Sequence, residues 1–340
     1  IKVGVMGQIG DAETAPAEPM KSDPGTLDHA REQAMRGQYS AAESEYRKLL
    51  KSDDARTKAG ATVGLAEALL IPGKYNAAID ALNAHPDAKN AAWHVALADA
   101  LSAIGKYGEA LEHAQAANDL RPDWAPAIFV HGTILETLGK KPEASEVYKT
   151  MSRTLAGEAY KTDARSLVAL GRIMDRYAIL VGQRASEQSA NILHNYLQEA
   201  YLKADKTYWP ANVAAGNFLL SKHRPASAKK EFDLALKLNP NCPEALAGIG
   251  AVALGAWQFE QCIAVADKAL SIQSNNADAL LLKANCLMQW RRFDEVAPLA
   301  EKVLATNPNH LDALSLLAAV NVRLGQPDKA KPFIDRAAKI

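Results

Sequence analysis

Residues 243–276 read PEALAGIGAVALGAWQFEQCIAVADKALSIQSNN, and residues 277–310 read ADALLLKANCLMQWRRFDEVAPLAEKVLATNPNH. These stretches carry small or short side chains at matching positions 34 residues apart, and the register continues on both sides. Helical apolar spacing within this period predicts two helices per unit that cross at the small residues. Such a pair buries its apolar faces only against neighbouring pairs, so the period predicts a solenoid. Three rows define the register: Gly216, Gly250, Ala284, Ala318; Ala228, Cys262, Val296, Ala330; and Ala235, Ala269, Val303, Ala337.

The small crossing residue recurs towards the N-terminus with looser spacing, which predicts nine helix pairs in all. Turns of the form Gly-Lys/Gln-Tyr follow three early first helices, at Gly37, Gly73 and Gly105. Glycine ends a helix there without a Cβ penalty, and we expect the tyrosine to pack into its own helix pair. The upstream crossing residues are Ala30, Ala66, Ala98, Gly132 and Gly171.

One unit departs from the period. Spacing lengthens to 39 residues from Gly132 to Gly171 and to 45 from Gly171 to Gly216. We expect a long second helix over residues 184–205, after a loop near Gly182. Two interpretations stay open: an elongated pair that fills a bend between subarrays, or a protruding helix that docks a partner or another domain of the same polypeptide. The predicted organisation is a flexible tail (1–25), an N-terminal subarray (26–154), an irregular elongated pair (155–208) and a truncated C-terminal subarray (209–340).

The Gly-x-Tyr-x-x-Ala turns, the 34-residue spacing and the closing prolines at Pro240 and Pro308 resemble tetratricopeptide repeats over about residues 26–340. The resemblance implies an all-α, right-handed superhelical solenoid whose first helices line a concave, peptide-binding groove. From Ser166 onward, the chain also resembles the repeat region that precedes a peptidase-MA-like zinc metallohydrolase domain in exported bacterial proteins. That second resemblance implies an alternative role, as an N-terminal substrate-positioning or docking arm of an enzyme whose catalytic domain is absent from this chain.

Composition argues against several classes of partner. The 340 residues carry 39 basic and 39 acidic side chains. A neutral chain has no global field to attract nucleic acid or an anionic membrane, and no apolar run reaches the roughly 18 residues of a membrane span. The stretch from Asp11 to Pro24 would suit the region after a removed signal peptide, so periplasmic and cytoplasmic locations both stay open.

The sequence predicts no catalytic residue, metal or cofactor. No histidine belongs to a His-Glu-x-x-His motif, and no nucleophile elbow occurs. The three cysteines have no metal-ligand spacing, and Cys262, which replaces alanine at a crossing, is expected to be a small buried hydrophobe. We therefore predict a non-catalytic scaffold that binds a protein or peptide, possible partners including a C-terminal domain of the same polypeptide.

The resemblance places the second, fifth, ninth and twelfth residues of each first helix on the concave side, in one stripe. Asparagines in this stripe offer both a donor and an acceptor to an extended peptide backbone. The alternative is that neighbouring superhelical turns cover the stripe. The predicted groove residues are Phe129, Val168, Arg172, Val213, Asn217, Leu220, Leu281, Asn285, Met288 and Val322.

Two further groups of residues bear on which ligands the solenoid binds. Arg165, Arg172 and Arg176 form a charged stretch with two aspartates, which we interpret as a solvated face rather than an anion site. The tetratricopeptide repeats that hold the C-terminal carboxylate of a chaperone use lysine, asparagine and arginine on consecutive first helices. Here the fifth residues of the last four first helices are Val213, Ala247, Leu281 and Ser315, with no lysine among them, so the resemblance disfavours that role.

An aromatic pair is expected at one edge of the solenoid. Trp257 occupies the place of the turn glycine, and Trp290 comes one residue before the equivalent place, which Arg291 takes. Two readings stay open: these residues pack along the edge, or they form a partner hot spot.

Overall fold

A chain of helix pairs forms the whole of the computed structural model, which describes residues 22–157, 159–182 and 185–340. Nine pairs follow one another in these residues, so the predicted all-α superhelical solenoid is confirmed. Most of the predicted tail, residues 1–21, lies outside the described residues. In the described part, no helix is long and apolar enough to cross a membrane.

Each pair consists of a first and a second helix, and a short extra helix, α9, follows the fourth pair. The pairs are α1 (Leu27–Met35) and α2 (Tyr39–Leu49), α3 (Ala55–Leu70) and α4 (Tyr75–Ala84), α5 (Ala91–Ala103) and α6 (Tyr107–Leu120), α7 (Ala125–Thr137) and α8 (Lys141–Lys149), then α9 (Met151–Ala156), α10 (Ala164–Leu180) and α11 (Ala185–Ile192), α12 (Trp209–Ser221) and α13 (Pro225–Leu238), α14 (Pro243–Gly255) and α15 (Phe259–Ile272), α16 (Ala277–Gln289) and α17 (Val296–Thr306), and α18 (Leu311–Arg323) and α19 (Pro327–Ala337).

Short-range signals set the helix ends. Asp54 caps α3 by accepting from the Thr57 amide at 2.7 Å, and Asn276 caps α16 by accepting from the Ala279 amide at 2.7 Å. Prolines occupy the first turn of α7, α8, α12, α13, α14 and α19, where no amide partner is needed.

Large side chains of the second helices explain the small residues in the first helices. Phe232 of α13 is fully buried, and a Cβ on Gly216 or Gly248 would lie within 3.0 Å of its ring. The aromatic ring therefore fills the space in which α12, α13 and α14 meet. Cys262 is fully buried at an equivalent crossing, as predicted.

The irregular unit differs from the others in both of its helices. Its first helix, α10, has 17 residues, and α9 and a 3-10 turn at Ala159–Thr162 precede it. The second helix begins as α11 and continues with the wider π-helical winding over Leu193–Gln198 and Ala200–Ala204. The predicted long helix over 184–205 thus runs from Ala185 to Ala204, and residue 184 itself lies outside the described residues.

A lateral seam joins the first three units to the sixth, seventh and eighth. We define the seam as the contacts of the turns at Gly37, Gly73 and Gly105 with the loops at 239–241, 273–275 and 307–309. The tyrosine hydroxyl of each turn accepts from a side-chain amide about 200 residues later, and each glycine carbonyl accepts from an asparagine. The hydroxyl bonds are Asn239 Nδ2 to Tyr39 Oη, 2.7 Å; Gln273 Nε2 to Tyr75 Oη, 2.7 Å; and Asn307 Nδ2 to Tyr107 Oη, 2.9 Å.

The seam requires glycine for two reasons. Each of its turn glycines has a left-handed φ, between 75° and 79°. A Cβ at each would also lie within 3.0 Å of the Oδ1 of Asn239, Asn275 or Asn307. The sequence predicts that these tyrosines pack within their own pairs, and the structure adds that their hydroxyls bond across the seam, because the superhelix returns to itself after six units.

Turn positions further along the chain tolerate side chains at the same backbone conformation. His223, Trp257 and Arg291 have φ of 56°, 58° and 62° and are exposed. The sequence therefore keeps glycine where the seam covers the turn and relaxes this requirement at these three turns, although each side chain costs roughly 1–2 kcal/mol in that conformation.

Candidate functional site

The first helices of the later units enclose a cavity of about 1290 Å³ on the concave side. Helices α10, α12, α14, α16 and α18 each contribute to its wall. We call this cavity the groove. Six predicted residues line it: Arg172, Val213, Asn217, Leu220, Leu281 and Asn285.

Apolar side chains form the floor of the groove, and two asparagine side chains are exposed above it. Val213 and Leu281 are 8% and 7% exposed, so they present a closely packed apolar surface. Asn217 and Asn285 are exposed, and neither side chain has a hydrogen-bond partner among the described residues. Their amides are thus free to bond to a ligand in the groove.

Four predicted groove residues lie elsewhere. Phe129 is half-buried beneath the guanidinium of Arg172, 4.1 Å from its ring centroid. Val168 is buried, since the π-helical part of the second helix packs over it. Met288 packs among the apolar residues of α16–α18, and Val322 is exposed but does not line the groove. These four residues belong to the fourth, fifth, eighth and ninth pairs, and their role as peptide contacts stays a prediction.

Charged side chains of α10 face the groove rather than an outer surface. Arg172, Asp175 and Arg176 all line it, and Arg172 is exposed to solvent there, so the interpretation of this stretch as a solvated face stays a prediction. Asp175 forms an ion pair with Lys222 at 2.7 Å, and Arg176 forms one with Glu136 at 3.1 Å. Arg172 and Arg176 of α10 thus bring positive charge to the groove.

The helices around the groove lower the pKa of Arg172. Its guanidinium is reached by water, yet helices stand on several sides of it. Desolvation by these walls, together with the like charge of Arg176, lowers the pKa of Arg172 to about 10. Arg172 remains a cation at neutral pH, and a negatively charged group placed beside it would stabilise that charge.

An acidic row, which the sequence reasoning missed, lines the groove on the last three of its first helices, α14, α16 and α18. It consists of Glu244, Asp278 and Asp312, the second residues of α14, α16 and α18, at intervals of 34 residues. Burial raises the pKa of Glu244 and of Asp278. The 34-residue period could have revealed this row, because the second residue of each first helix was expected to face the groove.

The predicted edge residues do cluster. The ring of Phe259 lies between the two tryptophans, 5.9 Å from Trp257 and 5.7 Å from Trp290, and Arg292 lies 5.1 Å above Trp290. Trp257 is 69% exposed and Arg291 is exposed beside this cluster. A role in partner binding stays a prediction.

Comparison with known families and structures identifies the repeats. Two family models, both described as tetratricopeptide repeat, match residues 27–92 and 291–340, so the chain contains tetratricopeptide repeats. Comparison with curated protein sequences gives no match. The resemblance to the region before a peptidase-MA-like domain has no counterpart in these matches and stays a prediction.

One solved structure supports the fold. A chain of the APC/C hetero-tetramer Cut9-Hcn1 superposes with a TM-score of 0.50 at 17% identity, over 87% of this chain. This chain spans 56% of that protein's length. MamA aligns with a TM-score of 0.38 at 17% identity, over 45% of this chain and 91% of MamA.

Proposed function

We propose that this protein is a non-catalytic scaffold that holds an extended peptide segment of a partner protein in the groove. The observation that supports the proposal best is a cavity of about 1290 Å³ with an apolar floor and two unpartnered asparagine side chains. An apolar cavity with a few polar groups is the usual form of a binding site. The asparagine amides would bond to the peptide backbone, and the floor would take its apolar side chains.

The seam supports the same role, because it fixes the groove before a ligand arrives. Hydrogen bonds between units about 200 residues apart hold the first three units against the later ones. A solenoid restrained in this way loses less conformational freedom on binding than an open one does. The groove is therefore preorganised for an extended ligand.

A display selection tests the proposal directly. Random peptides of roughly ten residues, which span about 33 Å when extended, are selected on the immobilised protein. Enriched peptides are then measured by fluorescence anisotropy with Asn217→Trp and Asn285→Trp, which fill the groove from exposed positions. We expect both variants to abolish binding, while Leu234→Trp, at an exposed position on α13 that does not line the groove, leaves it unchanged. A library without enriched peptides, or equal loss in all three variants, would refute the proposal.

A further inference from the structure

We infer that the groove is bipolar and selects a peptide with an acidic side chain for Arg172 and a basic side chain for the acidic row. The inference rests on the proposed function, whose ligand class it narrows. Three observations carry it: an Arg172 guanidinium without an ion-pair partner, a row of carboxylates without one, and their positions on different helices of one cavity, α10 for Arg172 and α14, α16 and α18 for the carboxylates.

Arg172 differs from the cations around it. Arg165, Arg176 and Lys222 each have a carboxylate partner, at 2.7, 3.1 and 2.7 Å. Among the described residues, no carboxylate oxygen lies within 4.0 Å of the Arg172 guanidinium. This cation is therefore available for a ligand, and its pairing with a carboxylate would not have to break an existing ion pair.

Phe129 positions the guanidinium of Arg172. The guanidinium carbon lies 4.1 Å from the centroid of the aromatic ring, within the distance of a cation–π contact. Stacking uses the flat face of a guanidinium and leaves its N–H edge available, which is the edge that binds a carboxylate through two parallel hydrogen bonds. Arg172 is thus ordered before the ligand binds.

The Arg165–Glu67 ion pair anchors the helix that carries Arg172. It joins α10 to α3, three units earlier along the chain, at 2.7 Å, and neither residue lines the groove. A peptide whose acidic residue pairs with Arg172 is held at α10, while the rest of the peptide extends along α12–α18.

The acidic row supplies the opposite charge for the rest of the peptide. Asp278 and Asp312 are exposed to the groove, and Glu244 is half-buried in its wall. None of the three has an ion-pair partner among the described residues; Glu244 accepts one hydrogen bond, from the Cys242 thiol at 3.4 Å. A lysine or arginine of the peptide would pair with this row, and the reverse orientation of the peptide would place like charges together.

The same selection, read for composition, tests this inference. Peptides displayed with a free N-terminus and a fused C-terminus have no free terminal carboxylate, so any acidic preference comes from side chains. On the wild-type protein we expect enrichment of one acidic and at least one basic residue at a constant separation. On Arg172→Glu the acidic residue should be replaced by lysine or arginine. Enriched peptides that bind in the groove but show no acidic preference would refute this inference and leave the proposed function intact.

Affinities of a selected peptide make the test quantitative. Loss of a charge-assisted pair predicts an affinity about tenfold to hundredfold lower for Arg172→Gln, and a similar loss for Asp278→Asn with a peptide whose basic residue pairs there. Arg224→Gln removes an exposed arginine outside the groove and should bind as wild type does. Equal affinities of Arg172→Gln and wild type would refute the assignment. So would a peptide that binds as a C-terminal acid but not as an amide, because its carboxylate would then come from the chain end.

Discussion

Gly73→Ala is the sharpest test of the seam, because the structure separates its cost into two parts. The first part is conformational, since φ is 79° and an alanine in that region costs roughly 1–2 kcal/mol. The second part belongs to the seam. A Cβ would displace the side chain of Asn275, which donates to the Gly73 carbonyl at 3.0 Å, and the loss of that hydrogen bond costs about 1 kcal/mol.

Gly139→Ala is the matched control. Gly139 ends α7 with a φ of 72°, and no atom lies within 4 Å of the position of its Cβ. Only the conformational part therefore applies, and its cost is roughly 1–2 kcal/mol. The expected total for Gly73→Ala is roughly 2–3 kcal/mol, so the difference of about 1 kcal/mol reports the seam.

A double-mutant cycle isolates that difference. Urea unfolding, followed by far-ultraviolet circular dichroism, is measured for Gly73→Ala, Asn275→Ala and the double variant. Once Asn275 has been shortened, the added methyl group has little to displace, so the two substitutions should couple by about 1 kcal/mol. Repeat arrays can unfold in stages, so the coupling should appear in the transition that includes the first three units. Coupling near zero, with equal effects of Gly73→Ala and Gly139→Ala, would show that the seam does not form in solution.

Three other predictions concern strain, charge and packing. Arg291→Gly should raise the melting temperature, because it relieves a left-handed backbone at an exposed residue and gains roughly 1 kcal/mol; an unchanged or lower melting temperature would contradict this. Asp99 is reached by water, but the helices around it desolvate its carboxylate and raise its pKa to about 6. Its ionisation therefore lowers stability as the pH rises from about 4 to about 6, by an amount that solvent screening reduces. Asp99→Asn should therefore stabilise the protein at neutral pH and lose that advantage below about pH 4, and a pH-independent effect in thermal melts would refute the assignment. Phe232→Ala should cost roughly 3–5 kcal/mol in urea unfolding, because the ring fills the crossing of three helices; a cost below about 1 kcal/mol would mean that the crossing can collapse.

The groove shows how far regular repeats can be read from their period. Val213, Asn217, Leu281 and Asn285 all line one cavity, because their units keep the 34-residue spacing, which fixes the face that each helix turns inward. Val168 lies in the irregular unit and is buried in a cluster with Ala200 of the π-helical segment, and no local sequence pattern predicts π-helical winding. Their function as peptide contacts is still a prediction.

The sequence by itself determined the helix pairs, their crossings and most of their ends. Those features depend on residues within one or two units, such as Phe232 against Gly216, or the asparagine cap at Asn276. Only the tertiary structure decided that Gly73 meets Asn275 and Tyr75 meets Gln273. The small rotation from each unit to the next must accumulate over six units before those residues meet, and the longer irregular unit adds its own share. Side chains about 200 residues apart carry no shared local signal, so their contact is a property of the whole superhelix.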